Sequence, residues 1–227
     1  MSDRLRVFIA GLGRMGEILA GSMSKKHEVA VYDRDEGKGR LVAERTDSRF
    51  CSPPDFLPLA DAVVLALPPS VTAPALESMR PLLRPDVVVV NIATTVCRDD
   101  LRPVLNGVGH LVGAKIVGHY REMRERPAIL VDAETEKGRQ AALLLFSDLG
   151  TVLPGDERVV QLINTAATRE AFRAAVRIEE LLREAGVDDT LINSAIRVVA
   201  AGSIKAYADG DIGPFARDLL KEIRQRP

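Results

Sequence analysis

Short apolar runs alternate, along the first two thirds of the chain, with stretches whose apolar positions recur at helical spacing. The runs are Leu5–Ala10, Glu28–Tyr32, Asp61–Leu67, Asp86–Ile92, Leu111–Val117 and Ala128–Val131. They are rich in β-branched residues and lack polar alternation, the pattern of strands covered on both faces of a sheet. Between most of them lie helical stretches. Met15, Ile18, Leu19 and Met23 share one face of the first, and residues 36–44, 71–82 and 134–148 supply others. Alternating strands and helices imply right-handed crossovers and a doubly wound, mostly parallel α/β sheet. Pro53, Pro54, Pro68, Pro69 and Pro103 punctuate the turns, outside the predicted strand interiors.

The character changes after the stretch Thr151–Gly155. Asp156 is an N-cap candidate, and no helix breaker follows until Gly186. The intervening helix carries Val159, Leu162, Ile163, Phe172, Val176 and Leu181 around most of its circumference. A second helix is predicted from Asp188–Asp189 to about Asp209, and a third from Pro214. The expected division is therefore a sheet domain over residues 1–153 and a small all-helical domain over 154–227. So few residues cannot cover a helix that is apolar all round, so a homodimer joined through these helices is expected.

Gly11-Leu12-Gly13-Arg14-Met15-Gly16 fits G-x-G-x-x-G, with a strand before it and a helix after it. The first glycine allows the tight turn, the second lets backbone approach a pyrophosphate, and the third lets helix and strand pack closely. The helix N-terminus then meets the phosphate charge. Asp33 closes the next strand, where a carboxylate can accept hydrogen bonds from a ribose. This is the sequence signature of a Rossmann dinucleotide site. Asp33 would repel a 2′-phosphate, which favours NAD, while the adjacent Arg34 keeps NADP open. Leu67 and Pro68 end one later strand and Asn91, Ala93 and Thr94 follow another, so both groups are expected beside the cofactor, the second nearer the nicotinamide.

Composition narrows the partners. With 31 Lys+Arg against 32 Asp+Glu, the net charge of −1 offers no electrostatic footprint for nucleic acid or anionic lipid. No apolar run approaches the roughly 20 residues of a membrane span. The opening residues lack the apolar stretch of a signal peptide, so a cytoplasmic protein is expected. Two cysteines, Cys51 and Cys97, without a CxxC pair, indicate neither a disulfide framework nor a structural zinc site. The expected ligand is a small molecule, and no metal is expected.

Residues 6–34 and the stretch Asp61–Pro69 resemble the NAD(P)-binding domain of the 6-phosphogluconate dehydrogenase-like superfamily, closest in shape to pyrroline-5-carboxylate reductase and prephenate dehydrogenase. Thr165–Val187 and Val198–Lys205 are similar to the helices through which the reductases interlock as dimers. The departures concern the substrate site. Where the reductases carry a Gly-Ser-Gly-Pro-Ala-Tyr-like turn, this chain has Ala167–Phe172, and their substrate-facing threonine falls on Val199. Their Met-Pro-Asn segment is replaced by Lys115–Tyr120, and the Lys-x-x-Asn pair of the hydroxyacid dehydrogenases stands here as Gln161 and Asn164. The resemblance thus implies the fold and the cofactor class, without a substrate.

For chemistry, Lys115 interrupts an apolar run near a strand end. A desolvated ammonium there would serve as acid or base, or hold a carboxylate; its structural alternative is snorkelling at the sheet edge. His119 and Tyr120 follow in the loop and could donate a proton. Asn164 and Thr168 share a helix face and could bond a substrate's polar groups. Arg169, Arg173 and Arg177 form a stripe that suits an acid or a solvated face, and residues 121–126 form a charged exposed loop. The expected activity is hydride transfer between nicotinamide and a small imine, keto or hydroxy acid. The alternatives are a dinucleotide-binding sensor or partner subunit without turnover, and a prephenate dehydrogenase-like enzyme acting on a ring.

Overall fold

The computed structural model describes residues 4–225. Residues 1–3 and 226–227, at the outer ends of the two expected domains, lie outside the described residues. In chain order the elements of the sheet unit are β1 (Arg6–Ala10), α1 (Arg14–Met23), β2 (Glu28–Tyr32), α2 (Glu36–Arg45), β3 (Arg49–Phe50), α3 (Pro53–Phe56), β4 (Ala62–Leu65), α4 (Pro69–Met79), β5 (Val88–Asn91), α5 (Arg98–Leu105), β6 (His110–Val117), β7 (Ala128–Ala133), α6 (Glu136–Phe146) and β8 (Thr151–Pro154). A short 3-10 turn, Tyr120–Glu125, lies between β6 and β7. There follow α7 (Arg158–Glu184), α8 (Asp189–Ser194), a π-helical stretch (Ala195–Ala200), α9 (Ala201–Asp209) and α10 (Pro214–Gln225).

The strands form one eight-stranded sheet in the order β3-β2-β1-β4-β5-β6-β7-β8. All neighbours are parallel except β6 and β7, which are antiparallel. The segment 118–127 is too short for a parallel crossover, so the chain reverses there. The doubly wound, mostly parallel α/β sheet followed by a helical region is as the sequence indicates. Alternate residues of β1 explain why its run does not alternate in polarity. Val7 and Ile9 pack under α1, α2 and α6, while Phe8 and Ala10 pack on the other face with Phe56, Leu76 and Leu101. Each fully buried aliphatic side chain contributes about 1.5–3 kcal/mol, so both faces must be apolar for the sheet to hold its layers.

Several elements are not visible in the hydrophobic pattern. β3 has two residues, and β8 is an edge strand whose side chains are largely exposed. α5 is capped by Cys97 and carries Pro103 inside it, so Pro103 punctuates no turn. Pro53 and Pro54 likewise begin α3, where a missing N–H costs nothing. The expected exposed loop at 121–126 is anchored by buried Met123 and by Arg126, which donates to the carbonyls of Ser147 and Asp148.

The compact units divide at Asn164/Thr165, later than the expected boundary after residue 153, because the first turns of α7 pack with the sheet unit. Val160 is fully buried there, and Asn164 Nδ2 donates to Ile116 O at 3.0 Å. The second unit consists of helices whose ends are marked by left-handed glycines, Gly186 (φ +74°) after α7 and Gly210 (φ +73°) after α9. Among its described residues only Ile192 is buried, while Phe172, Val198, Val199 and Phe215 are each about two-thirds exposed or more. Among the described residues no helix is long and apolar enough to cross a membrane. No group of three or more His, Cys, Asp or Glu residues is placed to hold a metal ion among them either.

Candidate active site

The sheet reverses winding direction between β1 and β4, and ligands of such sheets bind outside the carboxyl ends of the strands at that point. A cleft of about 810 Å³ opens there, within the sheet unit. Its floor is the turn from β1 into α1. Gly11 has φ +93°, and its N–H donates to Tyr32 O at 2.9 Å. A Cβ on Gly11 would come within 2.5 Å of Ala66 O, and one on Gly16 would run into the carbonyl oxygen of Gly11. These two glycines are therefore required by the turn and by the seating of α1 on it. Gly13 differs. Its backbone is extended (φ −65°, ψ −175°), and a Cβ there would meet nothing within 4 Å. No contact of the fold demands glycine at 13. The side chain is missing where the cleft meets the N-terminus of α1, which no side chain caps. The orphan N–H groups and the dipole of that helix end suit a diphosphate, which a Cβ at 13 would obstruct.

Asp33 closes β2 and organises the same turn. Its carboxylate accepts from Leu12 N–H at 2.9 Å, from Asp35 N–H at 3.2 Å and from Lys38 Nζ at 3.2 Å. Burial pushes the carboxyl up, but the two backbone N–H groups and Lys38 outweigh it and hold Asp33 below the ordinary aspartate range. It stays ionised, with most of its acceptor capacity committed to the protein. Arg34 and Lys38 line the same end of the cleft. Lys38 carried no sequence signal beyond its position early in α2, where Asp35 caps the helix by accepting its N–H.

Of the expected cofactor residues, Gly11, Leu12, Gly13, Arg14, Met15, Gly16, Asp33, Arg34, Leu67, Pro68, Ala93 and Thr94 line this cleft. Asn91 does not. It is fully buried, its Nδ2 donating to Val96 O at 2.7 Å and its Oδ1 accepting from Ala93 N–H at 3.0 Å. Asn91 therefore shapes the loop 92–96 from below, while Ala93 and Thr94 face the cleft. Ile92, Ile116 and Gly118 complete that wall. None of the three is distinguished by residue type, so sequence reasoning passes over them.

The expected catalytic residues are dispersed. Lys115 is 0% exposed and does not line the cleft, which corrects both the acid–base and the snorkelling readings. β6 is an interior strand, and Lys115 Nζ donates to the carbonyls of Asn91 (3.2 Å), Ala93 (2.7 Å) and Val96 (2.8 Å). The fourth partner is Glu157, 3% exposed, whose Oε2 lies 3.2 Å from Nζ. Glu157 Oε1 also accepts from Arg98 N–H, and Gly113 leaves the room its carboxylate occupies. Desolvation lowers the Lys115 pKa, opposed by the charge and hydrogen bond of Glu157. Lys115 thus pins the loop 91–96 rather than touching a ligand. Glu157 was missed because nothing local links it to β6; only the folded topology does.

His119 is exposed outside the cleft lining, its Nδ1 accepting from Arg121 N–H at 3.4 Å. Asn164 spends its amide on Ile116 O, at the strand end that borders the cleft. Thr168 is exposed on α7 in the second unit. Arg173 and Arg177 pair with Glu170 and Glu180 on the helix surface. Cys51 is buried, and burial raises its thiol pKa, as it does for Cys97.

Residues 6–95 match the family described as NADP oxidoreductase, coenzyme F420-dependent. No curated protein matches the chain. Among solved structures, a pyrroline-5-carboxylate reductase from Coxiella burnetii superposes with a TM-score of 0.73 at 15% identity, covering 98% of this chain and 85% of that one. Plasmodium falciparum pyrroline carboxylate reductase with NADP bound gives a TM-score of 0.69 at 13% identity, covering 97% and 90%. An imine reductase from Streptomyces aurantiacus gives 0.68 at 18% identity, covering 90% and 77%. Identities this low carry the fold alone, so the resemblance now rests on two findings: residues 6–95 match the NADP oxidoreductase, coenzyme F420-dependent family, and the chain shares its fold with these reductase structures.

Proposed function

We propose that the chain is an NAD(P)-dependent oxidoreductase that transfers hydride between nicotinamide and a small imine, keto or hydroxy acid. The observation that carries this is the glycine turn. Gly11 and Gly16 are demanded by packing, while at Gly13 no contact of the fold calls for glycine and the bare backbone stands open at the N-terminus of α1, where a diphosphate would approach. The family matched by residues 6–95 and the reductases among the structural neighbours support the reaction class. Leu12, Gly13, Arg14 and Met15 would hold the diphosphate, and Ile92, Ala93, Thr94 and Ile116 would flank the nicotinamide. The cofactor, when bound, supplies the two-electron chemistry, and the protein orients it and shields it from water. The test is steady-state turnover with a panel of imino, keto and hydroxy acids. Saturable dinucleotide binding without turnover across that panel would instead favour a non-catalytic sensor.

The adenosine end favours the phosphorylated dinucleotide in this reading. Arg34 and Lys38 place two cations against one carboxylate that is already held by two N–H groups and Lys38. Charge-assisted bonds of this kind contribute about 1.5–3 kcal/mol each. Arg34→Ala is expected to weaken NADPH binding by roughly tenfold or more and to leave NADH binding within about twofold. Equal losses for both dinucleotides, measured by calorimetry, would remove Arg34 from that role.

A second copy of the chain is proposed as the cover for the helical unit. A unit with one buried residue among its described positions has no core of its own. Sedimentation velocity is expected to give a dimer at micromolar concentration. Phe172→Glu, placed on an exposed apolar position of α7, is expected to shift it toward monomer. A monomer in the unmodified protein would contradict the proposal.

A further inference from the structure

Arg14 is the first residue of α1 and lies exposed at the cleft it lines. An exposed arginine left to itself samples many rotamers, and its charge is spread over a wide arc. Here a distant segment holds it. The 3-10 turn Tyr120–Glu125 follows β6, which stands three places from β1 in the order β1-β4-β5-β6. With neighbouring strands about 4.8 Å apart, that turn leaves the sheet roughly 14 Å to one side of the glycine loop. It nevertheless reaches back to α1, and the guanidinium carbon of Arg14 sits 4.6 Å from the centroid of the Tyr120 ring. The ring is itself fixed. Met123 of the same turn is buried, and Arg126 just beyond it donates to the carbonyls of Ser147 and Asp148. Arg121 Nε donates to Tyr120 Oη at 3.1 Å, and the His119 ring tilts against the tyrosine with centroids 4.4 Å apart. The hydroxyl is thus tied to its own turn while the ring face meets Arg14.

The choice of an aromatic face matters. A carboxylate would also hold the guanidinium, yet it would cancel the charge and compete with any anion that enters the cleft. Lys38, at the other end, is in that position, paired with Asp33 at 3.2 Å. A ring attracts a cation over its face and leaves in-plane N–H groups to donate elsewhere. Resting on the oxidoreductase reading above, we infer that Tyr120 is a positioning residue: its ring holds the Arg14 guanidinium, charge intact, for the diphosphate of the dinucleotide. Tyr120 itself touches no ligand. It restricts Arg14 before the dinucleotide arrives, so less side-chain freedom is lost on binding. NADPH and NADH carry the same diphosphate, so the contribution is equal for the two. That separates it from Arg34 and Lys38, whose charges act at the adenosine end.

Calorimetric titration of variants with NADPH and NADH tests this, the folding of each variant being checked by urea unfolding. Tyr120→Leu removes the aromatic face and is expected to weaken both dinucleotides alike, by about two- to fivefold. Tyr120→Phe keeps the face and is expected to restore affinity to within about 1.5-fold of the unmodified protein. Arg14→Gln, at an exposed helix position, is expected to lose roughly tenfold for both. In that background Tyr120→Leu is expected to cost nothing further, which a double-mutant cycle reads directly. Unchanged binding in Tyr120→Leu or in Arg14→Gln would overturn the inference and leave the oxidoreductase reading standing. The same holds for a loss confined to NADPH, for a Tyr120→Leu loss that persists without Arg14, and for a Tyr120→Phe variant as weak as Tyr120→Leu. Absence of dinucleotide binding in the unmodified protein would overturn both.

Discussion

Gly13→Asp is expected to weaken dinucleotide binding while leaving the protein at least as stable as before. The two effects separate because of the geometry of the turn. Aspartate is a preferred N-cap, and Gly13 caps α1 with extended backbone that any residue adopts. Its Cβ would touch nothing within 4 Å, so the fold itself raises no objection. A carboxylate there would nevertheless face the diphosphate across the helix N-terminus. At about 4 Å, repulsion between unit charges runs from about 1 kcal/mol in water to about 4 at an effective dielectric near 20. Affinity is then expected to fall by about fivefold to 1000-fold, read by calorimetry, with the stability of the variant checked by urea unfolding. Gly11 and Gly16 are poorer probes. A Cβ at either position meets the backbone, so lost binding there would report a damaged turn.

The second large effect is expected from Lys115→Met. In the folded protein Lys115 is 0% exposed and joins three carbonyls of the loop 91–96 to Glu157, which is 3% exposed. Removing the ammonium leaves the buried Glu157 carboxylate without its countercharge and takes a donor from the carbonyls of Asn91, Ala93 and Val96, the last of which keeps only Asn91 Nδ2. Breaking one side of a buried pair costs about 3–5 kcal/mol, a large part of a domain's stability. Replacing both members, Lys115→Met with Glu157→Gln, is expected to recover part of that loss, because no uncompensated charge remains. Urea unfolding of the single and double variants measures the coupling. A single variant within about 0.5 kcal/mol of the unmodified protein would show that the pair is not needed to hold the loop.

Much of the architecture could be read from the chain because parallel strands covered on both faces must be apolar on both. The runs at Leu5–Ala10, Glu28–Tyr32, Asp61–Leu67 and Asp86–Ile92 correspond to β1, β2, β4 and β5 for that reason. The glycine turn was legible because its spacing encodes local backbone demands. What escaped the sequence was set by distant parts of the chain. β3 and β8 lie at the sheet edges, where one side needs no partner and the hydrophobic signal fades. Lys115 stood out as a charge in an apolar run. Its role depended on Glu157, which lies just before α7 in a different part of the chain, and on carbonyls that no residue type reveals. Asn91 ends β5 beside the right loop, but its buried side chain bonds to the backbone of Ala93 and Val96 instead of facing the cleft. Tyr120 was legible as a polar loop residue after β6, but only the fold brings Arg14 over its ring.

Calorimetric titration of the unmodified protein with NADPH and NADH decides whether a diphosphate is held at the N-terminus of α1. Such a site predicts saturable binding of one dinucleotide per chain, tighter for NADPH. No heat of binding with either dinucleotide at millimolar concentration would contradict it.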